Sequence, residues 1–212
     1  MFRGLMPLYH SYTDENFTHL IWEINEDEKF FLSKFSLTDK EIEIIKFKKT
    51  SIKKIEFLSV RYLLRLLKIN PNDLSYSKDG APQLNTRTNI SISHCMGYST
   101  ILISEKKCGI DIETYRNNIL NIKDKFINDI DVKQIDSSSV NDLILIWCLK
   151  ESVYKAEKTP GLNFKNEIFV ESINKEEKNA KTLVQKFNYN KLYTCNLLFD
   201  PNYICTIVFS ND

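Results

Sequence analysis

A short apolar frame that carries two carboxylates, Gly109-Ile110-Asp111-Ile112-Glu113, constrains the fold of this chain most strongly. Successive side chains of a β-strand alternate between its two faces. If this segment is a strand, Ile110 and Ile112 point into the core, while Asp111 and Glu113 lie together on the other face. The sequence therefore predicts a buried strand that presents paired acids at one surface.

A second segment places Trp147, Glu151 and Lys155 at four-residue steps on a predicted helix. Side chains four residues apart lie one above the other on the same helix face. Three carboxylates and a lysine that converge suit a hard divalent cation that holds a phosphate, and magnesium fits because it combines a few carboxylates with water and phosphate oxygens. Each motif alone is also typical of a solvated surface, so the hypothesis depends on both occurring together.

The overall composition excludes several classes of protein. The 212 residues carry a formal charge of +1, so no global field attracts nucleic acid or a membrane. The N-terminal residues do not resemble a signal peptide, and no apolar run approaches the roughly 20 residues of a membrane helix. Five scattered cysteines without a Cys-x-x-Cys pair argue against a disulfide framework and a structural zinc site. We therefore expect a cytoplasmic protein.

Hydrophobic periodicity and turn residues predict the order of elements along the chain. The predicted strands cover residues 17–24, 89–93, 98–104, 108–113, 168–173, 192–199 and 204–209. The predicted helices are one capped by Thr38 or Asp39 with Ile42, Ile45 and Phe47 on one side, a buried one over 51–68, a short one around 119–127 and a long one over 140–158. Turns are expected at 79–82 and as a hairpin at Lys106-Lys107, and a charged loop at 175–180.

This order is typical of an α+β protein. Each half has one strong helix followed by strands that look antiparallel. We expect a pseudo-twofold pair of similar α+β halves, residues 1–103 and 104–212, with the active site in the crevice between them. The two acidic motifs then belong to the second half, and phosphate-binding candidates of the first half face them.

Two groups of residues in the first half are candidates for phosphate binding. Ser93 and His94 lie at the end of a predicted strand and offer a hydroxyl and an imidazole N–H. A serine–histidine nucleophile pair and a purely structural histidine are the alternatives, although no Gly-x-Ser-x-Gly elbow is present. The second group is a lysine cluster whose members are Lys40, Lys46, Lys48, Lys49, Lys53 and Lys54. Such a run is typical of a solvated helix face, but it also suits a phosphate or an acidic protein partner.

Taken in chain order, these segments resemble the 4′-phosphopantetheinyl transferases of the Sfp type. The resemblance rests on Gly80-Ala81-Pro82 followed by Ile92-Ser93-His94, then on 109–113, then on Trp147-Cys148-Leu149-Lys150-Glu151-Ser152-Val153-Tyr154-Lys155-Ala156. It implies a monomer that moves the phosphopantetheine arm of coenzyme A onto a serine hydroxyl of an acyl or peptidyl carrier protein and releases adenosine 3′,5′-bisphosphate.

The resemblance also implies roles for individual residues. It makes Asp111, Glu113 and Glu151 the magnesium ligands and Lys155 the cation on the diphosphate, and it places Ser93 and His94 on the coenzyme A phosphates. Lys40 and Lys54 serve the 3′-phosphate, and Gly80, Ala81 and Pro82 line the adenosine pocket. Glu151, Glu113 or a metal-bound water accepts the serine proton.

The chain departs from the family pattern at Ala81, where the family has a lysine. Lys78 is a possible substitute for that charge. The segment after Glu113, where the family meets its carrier, also matches poorly. We expect a transient, acidic carrier protein that contacts a basic rim formed by the first-half lysines or by Arg116, Lys123 and Lys125. The alternatives are a non-catalytic coenzyme A or carrier-protein binding module of the same fold and, last, a nucleic-acid binder.

Overall fold

Two antiparallel sheets form the framework of the protein, and each has a long helix packed on it. The computed structural model describes residues 8–211. Asp212 and the first seven residues, on which the expectation about a signal peptide rests, lie outside the described residues.

The first sheet has the strand order β1-β2-β6-β5 and contains only antiparallel pairs. Its strands are β1 (Leu8–Thr13), β2 (Phe17–Glu23), β5 (Asn89–Cys95) and β6 (Tyr98–Ser104). The helices of this part are α1 (Glu28–Lys34), α2 (Asp39–Lys46) and α3 (Ser51–Leu66), and a small ribbon pairs β3 (Leu74–Tyr76) with β4 (Pro82–Leu84). As predicted, α3 is largely buried.

The second sheet has the order β7-β11-β10-β9-β8 and is also antiparallel. Its strands are β7 (Cys108–Thr114), β8 (Ile168–Asn174), β9 (Asn179–Lys186), β10 (Tyr189–Phe199) and β11 (Tyr203–Ser210). The helices are α4 (Asp129–Val132), α5 (Val140–Glu157) and α6 (Phe164–Glu167). Helices and antiparallel strands are thus combined as predicted, and the α+β class is confirmed. The pseudo-twofold relation and the boundary between 103 and 104 stay predictions.

The predicted hairpin at Lys106-Lys107 is wrong. Strand β7 pairs with β11 of the second sheet instead of pairing with β6. The cause is the burial of apolar side chains. Ile110 and Ile112 are fully buried in a cluster shared with Leu102 of the first sheet, so β7 packs face to face on that sheet. The connection between β6 and β7 is therefore the point at which the chain passes from one sheet to the other.

The orientation of α2 also differs from the prediction. Thr38 caps the helix in a capping box with Glu41, as its sequence indicates. Glu41 is buried because it forms ion pairs with Arg61 and Arg65 of α3. This contact turns Ile44 and Ile45 inward and leaves Ile42 and Phe47 exposed, although the sequence placed Ile42, Ile45 and Phe47 on one side.

Seven helices and strands among the described residues escaped the sequence analysis: β1, α1, β3, β4, α4, α6 and β9. Strand β9 alternates buried Ala180, Thr182 and Val184 with more exposed neighbours, but its polar residues conceal this period. The single helix expected around 119–127 is wrong, because the structure has two 3-10 turns there, Asn117–Asn121 and Lys123–Lys125, before α4. No helix among residues 8–211 combines the length and the apolar character needed to cross a bilayer.

Candidate active site

Gly109 brings the two acidic segments together. A side-chain carbon at this position would clash with the Ser152 carbonyl oxygen and lie 2.8 Å from the backbone nitrogen of Ala156. Helix α5 therefore packs directly on the β7 backbone, on the face that also carries Asp111 and Glu113. Because Glu151 and Lys155 belong to the adjacent turns of α5, this close contact places them beside the strand acids.

Asp111, Ser93 and Lys155 form one hydrogen-bonded group. The Ser93 hydroxyl donates to Asp111 Oδ1 at 2.7 Å, and the Lys155 ammonium donates to the same oxygen at 2.6 Å and to Ser93 Oγ at 2.8 Å. Burial opposes the charge of Lys155, but the nearby Asp111 carboxylate outweighs it and raises the Lys155 pKa. The other Asp111 oxygen, Oδ2, is buried without a hydrogen-bond partner.

Glu151 lies one turn before Lys155 on the same helix. Burial, and then the negative charge of Asp111, raise the pKa of Glu151 to about 7. Among the residues that the structure describes, its carboxylate has neither a hydrogen bond nor an ion pair. A buried carboxylate beside a second acid is stabilised by a bound cation or by a proton.

Glu113 is held by two neighbours. The Arg116 guanidinium forms a two-point ion pair with its carboxylate, and the Trp147 indole N–H donates to Glu113 Oε1 at 2.8 Å. The hydrogen bond from Arg116 to Glu113 raises the pKa of the guanidinium. Sequence reasoning considered Arg116 only as part of a basic rim. Its spacing of three residues from Glu113, just beyond the strand, is the signal that was available.

A divalent cation fits part of this arrangement. The unpartnered Asp111 Oδ2 and the unpaired carboxylate of Glu151 are oxygens of the kind that magnesium prefers. Glu113 would have to exchange Arg116 for the ion. Accordingly, in the described part of the chain no group of three or more acidic, histidine or cysteine side chains is arranged to hold a metal. Two of the three predicted ligands therefore have carboxylate oxygens without a protein partner among residues 8–211, and the third is paired with a cation of the protein itself.

A cavity of about 640 Å³ lies between the two sheets. One of its walls is lined by Asp111, Glu113, Trp147, Glu151 and Lys155. The rest of the lining comes from the first half and combines polar and charged residues with apolar ones. Its polar members include Lys48, Lys53, Glu56, Arg61, Tyr76, Ser93 and His94. The structure thus brings predicted residues of both halves to a single cavity.

Glu56 and Arg61 in this first-half lining were not anticipated. Glu56 lies 3.0 Å from the Lys53 ammonium and 3.6 Å from His94 Nδ1. Burial lowers the pKa of His94, while the Glu56 charge acts in the opposite direction. The Arg61 guanidinium stacks on the Phe57 ring with 4.2 Å to its centroid. Both residues lie in a helix whose strong apolar pattern gave no sign that part of it faces a cavity.

The remaining predicted residues are the turn at residues 80–82, which borders two cavities, and two lysines, which border neither of them. Gly80 and Pro82 line the cavity, and with Ala81 they also line a neighbouring one of about 420 Å³ that shares Lys155. Lys40 is exposed on α2, and Lys54 lies 3.9 Å from Glu28; neither is among the residues lining the main cavity. The members of the lysine cluster that line the main cavity are Lys48 and Lys53.

Comparison with known families gives one match. Residues 107–208 match the model of the 4′-phosphopantetheinyl transferase superfamily. A search of curated proteins found no match. The matched region contains Asp111, Glu113, Glu151 and Lys155 but neither Ser93 nor His94, which reach the same cavity from the first sheet. Residues 107–208, a little under half of the chain, are therefore similar to the 4′-phosphopantetheinyl transferase superfamily.

Proposed function

We propose that this protein is a magnesium-dependent, Sfp-type 4′-phosphopantetheinyl transferase that acts as a cytoplasmic monomer. It would move the phosphopantetheine arm of coenzyme A onto a serine hydroxyl of an apo acyl or peptidyl carrier protein and release adenosine 3′,5′-bisphosphate. The observation that carries the proposal is the convergence of Asp111, Glu151 and Lys155 in one cavity. The superfamily match of residues 107–208 supports it.

The acids and the lysine have separate roles in this proposal. Asp111 and Glu151 would hold the magnesium ion, and Glu113 would join them as the third ligand once it exchanges Arg116 for the ion. When bound, the ion supplies Lewis-acid stabilisation of the diphosphate. Lys155 neutralises charge on the non-bridging oxygens, and it is fixed for this task by its contacts with Asp111 and Ser93.

The transfer requires one proton acceptor. The serine oxygen forms a bond to the phosphorus of the pantetheine arm, the bond to the leaving adenosine 3′,5′-bisphosphate breaks, and the serine proton passes to a base. Glu151 suits this role better than Glu113, because Arg116 and Trp147 already hold the Glu113 carboxylate. Glu151 has no such partner within the described residues.

The first-half wall supplies positive charge for the remaining phosphates of coenzyme A. Lys48, Lys53 and Arg61 line the cavity, and Ser93 and His94 complete this wall. In this arrangement Lys48 and Lys53 take the role that the resemblance gave to Lys40 and Lys54. The glycine–proline turn at Gly80 borders the same space and suits the adenosine.

A transfer assay tests the proposal. Purified protein, coenzyme A and magnesium are incubated with a panel of apo acyl and peptidyl carrier proteins, and mass spectrometry records the addition of one phosphopantetheine. We expect modification of at least one carrier and its loss in Asp111→Asn. The matched control is Asp129→Asn, an exposed aspartate outside the cavity, which should transfer normally. Absence of modification across the panel would contradict the proposal.

The second candidate is a non-catalytic module that binds coenzyme A or a carrier protein. One observation favours it: the Lys155 ammonium already occupies Asp111 Oδ1, and no ready three-residue metal set exists among the described residues. Calorimetry separates the two functions. Tight binding of coenzyme A without any transfer would support the module, whereas magnesium-dependent turnover supports the enzyme.

A further inference from the structure

The connection between α2 and α3 exposes two large apolar side chains, and two lysines of the same segment line the cavity. Phe47, the residue that follows the last residue of α2, is 84% exposed. Ile52, in the first turn of α3, is 67% exposed. Residues 46–54, here called the 46–54 surface, contain five lysines and no acidic residue. Exposed apolar side chains surrounded by one sign of charge are typical of a binding surface.

Structural roles account for only part of this positive charge. Lys53 pairs with Glu56 at 3.0 Å, and Lys54 lies 3.9 Å from Glu28. Lys46, Lys48 and Lys49 have no ion pair with any residue that the structure describes. Lys48 lies over the Phe57 ring, 5.8 Å from its centroid, so Lys46 and Lys49 are the neighbours of Phe47 in sequence whose charge these contacts leave unexplained.

Favourable interactions with the helix dipoles do not explain why so many lysines lie at this connection either. Lys46 at the end of α2 complements the negative end of that helix, but Lys53 lies in the first turn of α3, where no acid is present. Positive charge at a helix N-terminus is unfavourable. The charge is therefore concentrated at this connection against the local preference of α3.

The 46–54 surface is continuous with the candidate active site. Lys48 and Lys53 line the same cavity as Asp111, Glu151 and Lys155. A partner bound on Phe47 and Ile52 would therefore lie at the mouth of the cavity and present its own side chains to the acids and the lysine inside. This continuity favours a protein substrate over a lipid surface, which presents no group to be modified there.

We propose that the 46–54 surface docks the carrier protein, with Phe47 and Ile52 against an apolar part of the carrier and Lys46 and Lys49 against acidic residues beside its acceptor serine. This inference rests on the proposed function and assigns its protein substrate to the first half of the chain. Apolar contact at the centre supplies affinity, while the surrounding charges supply orientation and a fast encounter.

The test measures binding and transfer separately in Phe47→Ser. Its matched control is Phe187→Ser, because Phe187 is fully exposed in the β9–β10 turn of the second sheet, remote in sequence from residues 46–54. Calorimetry with a panel of apo acyl and peptidyl carriers identifies the carrier that binds best to the wild type. We expect Phe47→Ser to weaken that binding about tenfold, the usual effect of removing an aromatic anchor, and Phe187→Ser to change it less than about twofold. Affinity for coenzyme A should stay the same in both variants.

A second pair of variants tests the charges. Lys49→Glu should weaken carrier binding and remove much of its salt dependence, while Lys181→Glu, an exposed lysine of β9, should not. Unchanged carrier binding in Phe47→Ser, or no binding of any carrier by the wild type, would overturn the docking surface. Loss of binding to vesicles of anionic lipid in Phe47→Ser, with carrier binding intact, would reassign the surface to a membrane and would also overturn it.

The outcomes separate this inference from the proposed function. A wild type that binds a carrier through Phe47 but modifies none would remove the transferase and keep the docking surface. A wild type that modifies a carrier, with an unchanged KM for the carrier in Phe47→Ser, would keep the transferase and remove the docking surface.

Discussion

The close packing of α5 on β7 makes Gly109→Ala a sharp test of how this fold assembles its site. The added methyl group would overlap the Ser152 carbonyl oxygen and lie 2.8 Å from the Ala156 nitrogen. Both contacts are backbone atoms of a helix, so neither can move aside alone. The helix as a whole has to retreat by at least about 1.5 Å to restore ordinary contact distances, and this loses dispersion energy along the interface.

The retreat also weakens polar contacts. Ser152 Oγ donates to the Thr206 carbonyl oxygen at 3.0 Å, in a buried group that ties α5 to β11. Overpacking costs about 1 to 3 kcal/mol, and a strained buried hydrogen bond adds about 1 kcal/mol. We expect Gly109→Ala to lower the free energy of unfolding by about 2 to 4 kcal/mol. Because Lys155 moves with the helix, the variant should also lose transfer activity.

Urea denaturation gives the measurement, with Gly97→Ala as the control. Gly97 has a φ of +81° and open space around it, so alanine there costs backbone strain of about 1 to 2 kcal/mol without a clash. Gly109→Ala should therefore be clearly the more damaging of the two variants. A loss in Gly109→Ala equal to or smaller than that in Gly97→Ala, with normal transfer, would refute the packing argument.

Three further changes test other parts of the structure. Lys150→Met should lower the free energy of unfolding by about 3 to 5 kcal/mol in urea denaturation, because the fully buried Asp131 carboxylate loses its ion pair of 2.5 Å. The double variant with Asp131→Asn should recover part of this loss, because the amide is neutral and its oxygen can still accept from the Val170 N–H, and a harmless single variant would contradict the argument. Burial lowers the pKa of His19 from 6.5 to about 3, so below pH 6.5 the unfolded chain binds a proton that the folded chain does not. The free energy of unfolding should therefore fall by about 1.4 kcal/mol for each pH unit between about 6.5 and 3. His19→Gln should remove this slope, and equal slopes in both proteins would exclude His19 as its source. Lys155→Met should reduce kcat/KM for transfer at least about a hundredfold in a steady-state assay, because the fixed cation on the diphosphate is lost, and near-normal turnover would remove Lys155 from the chemistry.

Local sequence patterns predicted a helix or strand correctly wherever a single physical signal, such as a cap or an apolar period, dominated the segment. The capping box at Thr38, the apolar period of α3 and the strand-then-helix motifs of β7 and α5 predicted their elements within a few residues. Alternation along β7 also predicted that Asp111 and Glu113 share a face. The four-residue spacing on α5 predicted that Glu151 and Lys155 lie together, and they line the same cavity.

Features that depend on distant partners could not be predicted in this way. The burial of Glu41 follows from Arg61 and Arg65, which lie on another helix, and this ion pairing decides which side of α2 faces the core. The pairing of β7 with β11 joins segments about 90 residues apart. The capture of Glu113 by Arg116 and Trp147 likewise combines a local neighbour with a remote one.

Anomalous diffraction from a crystal grown with Mn²⁺ and coenzyme A tests the central claim most directly. If the acids of β7 and α5 hold one divalent cation, a single manganese peak should lie about 2.1 Å from oxygens of Asp111 and Glu151, and Asp111→Asn should abolish it. A crystal that contains coenzyme A in the cavity but no manganese beside these two carboxylates would contradict the account.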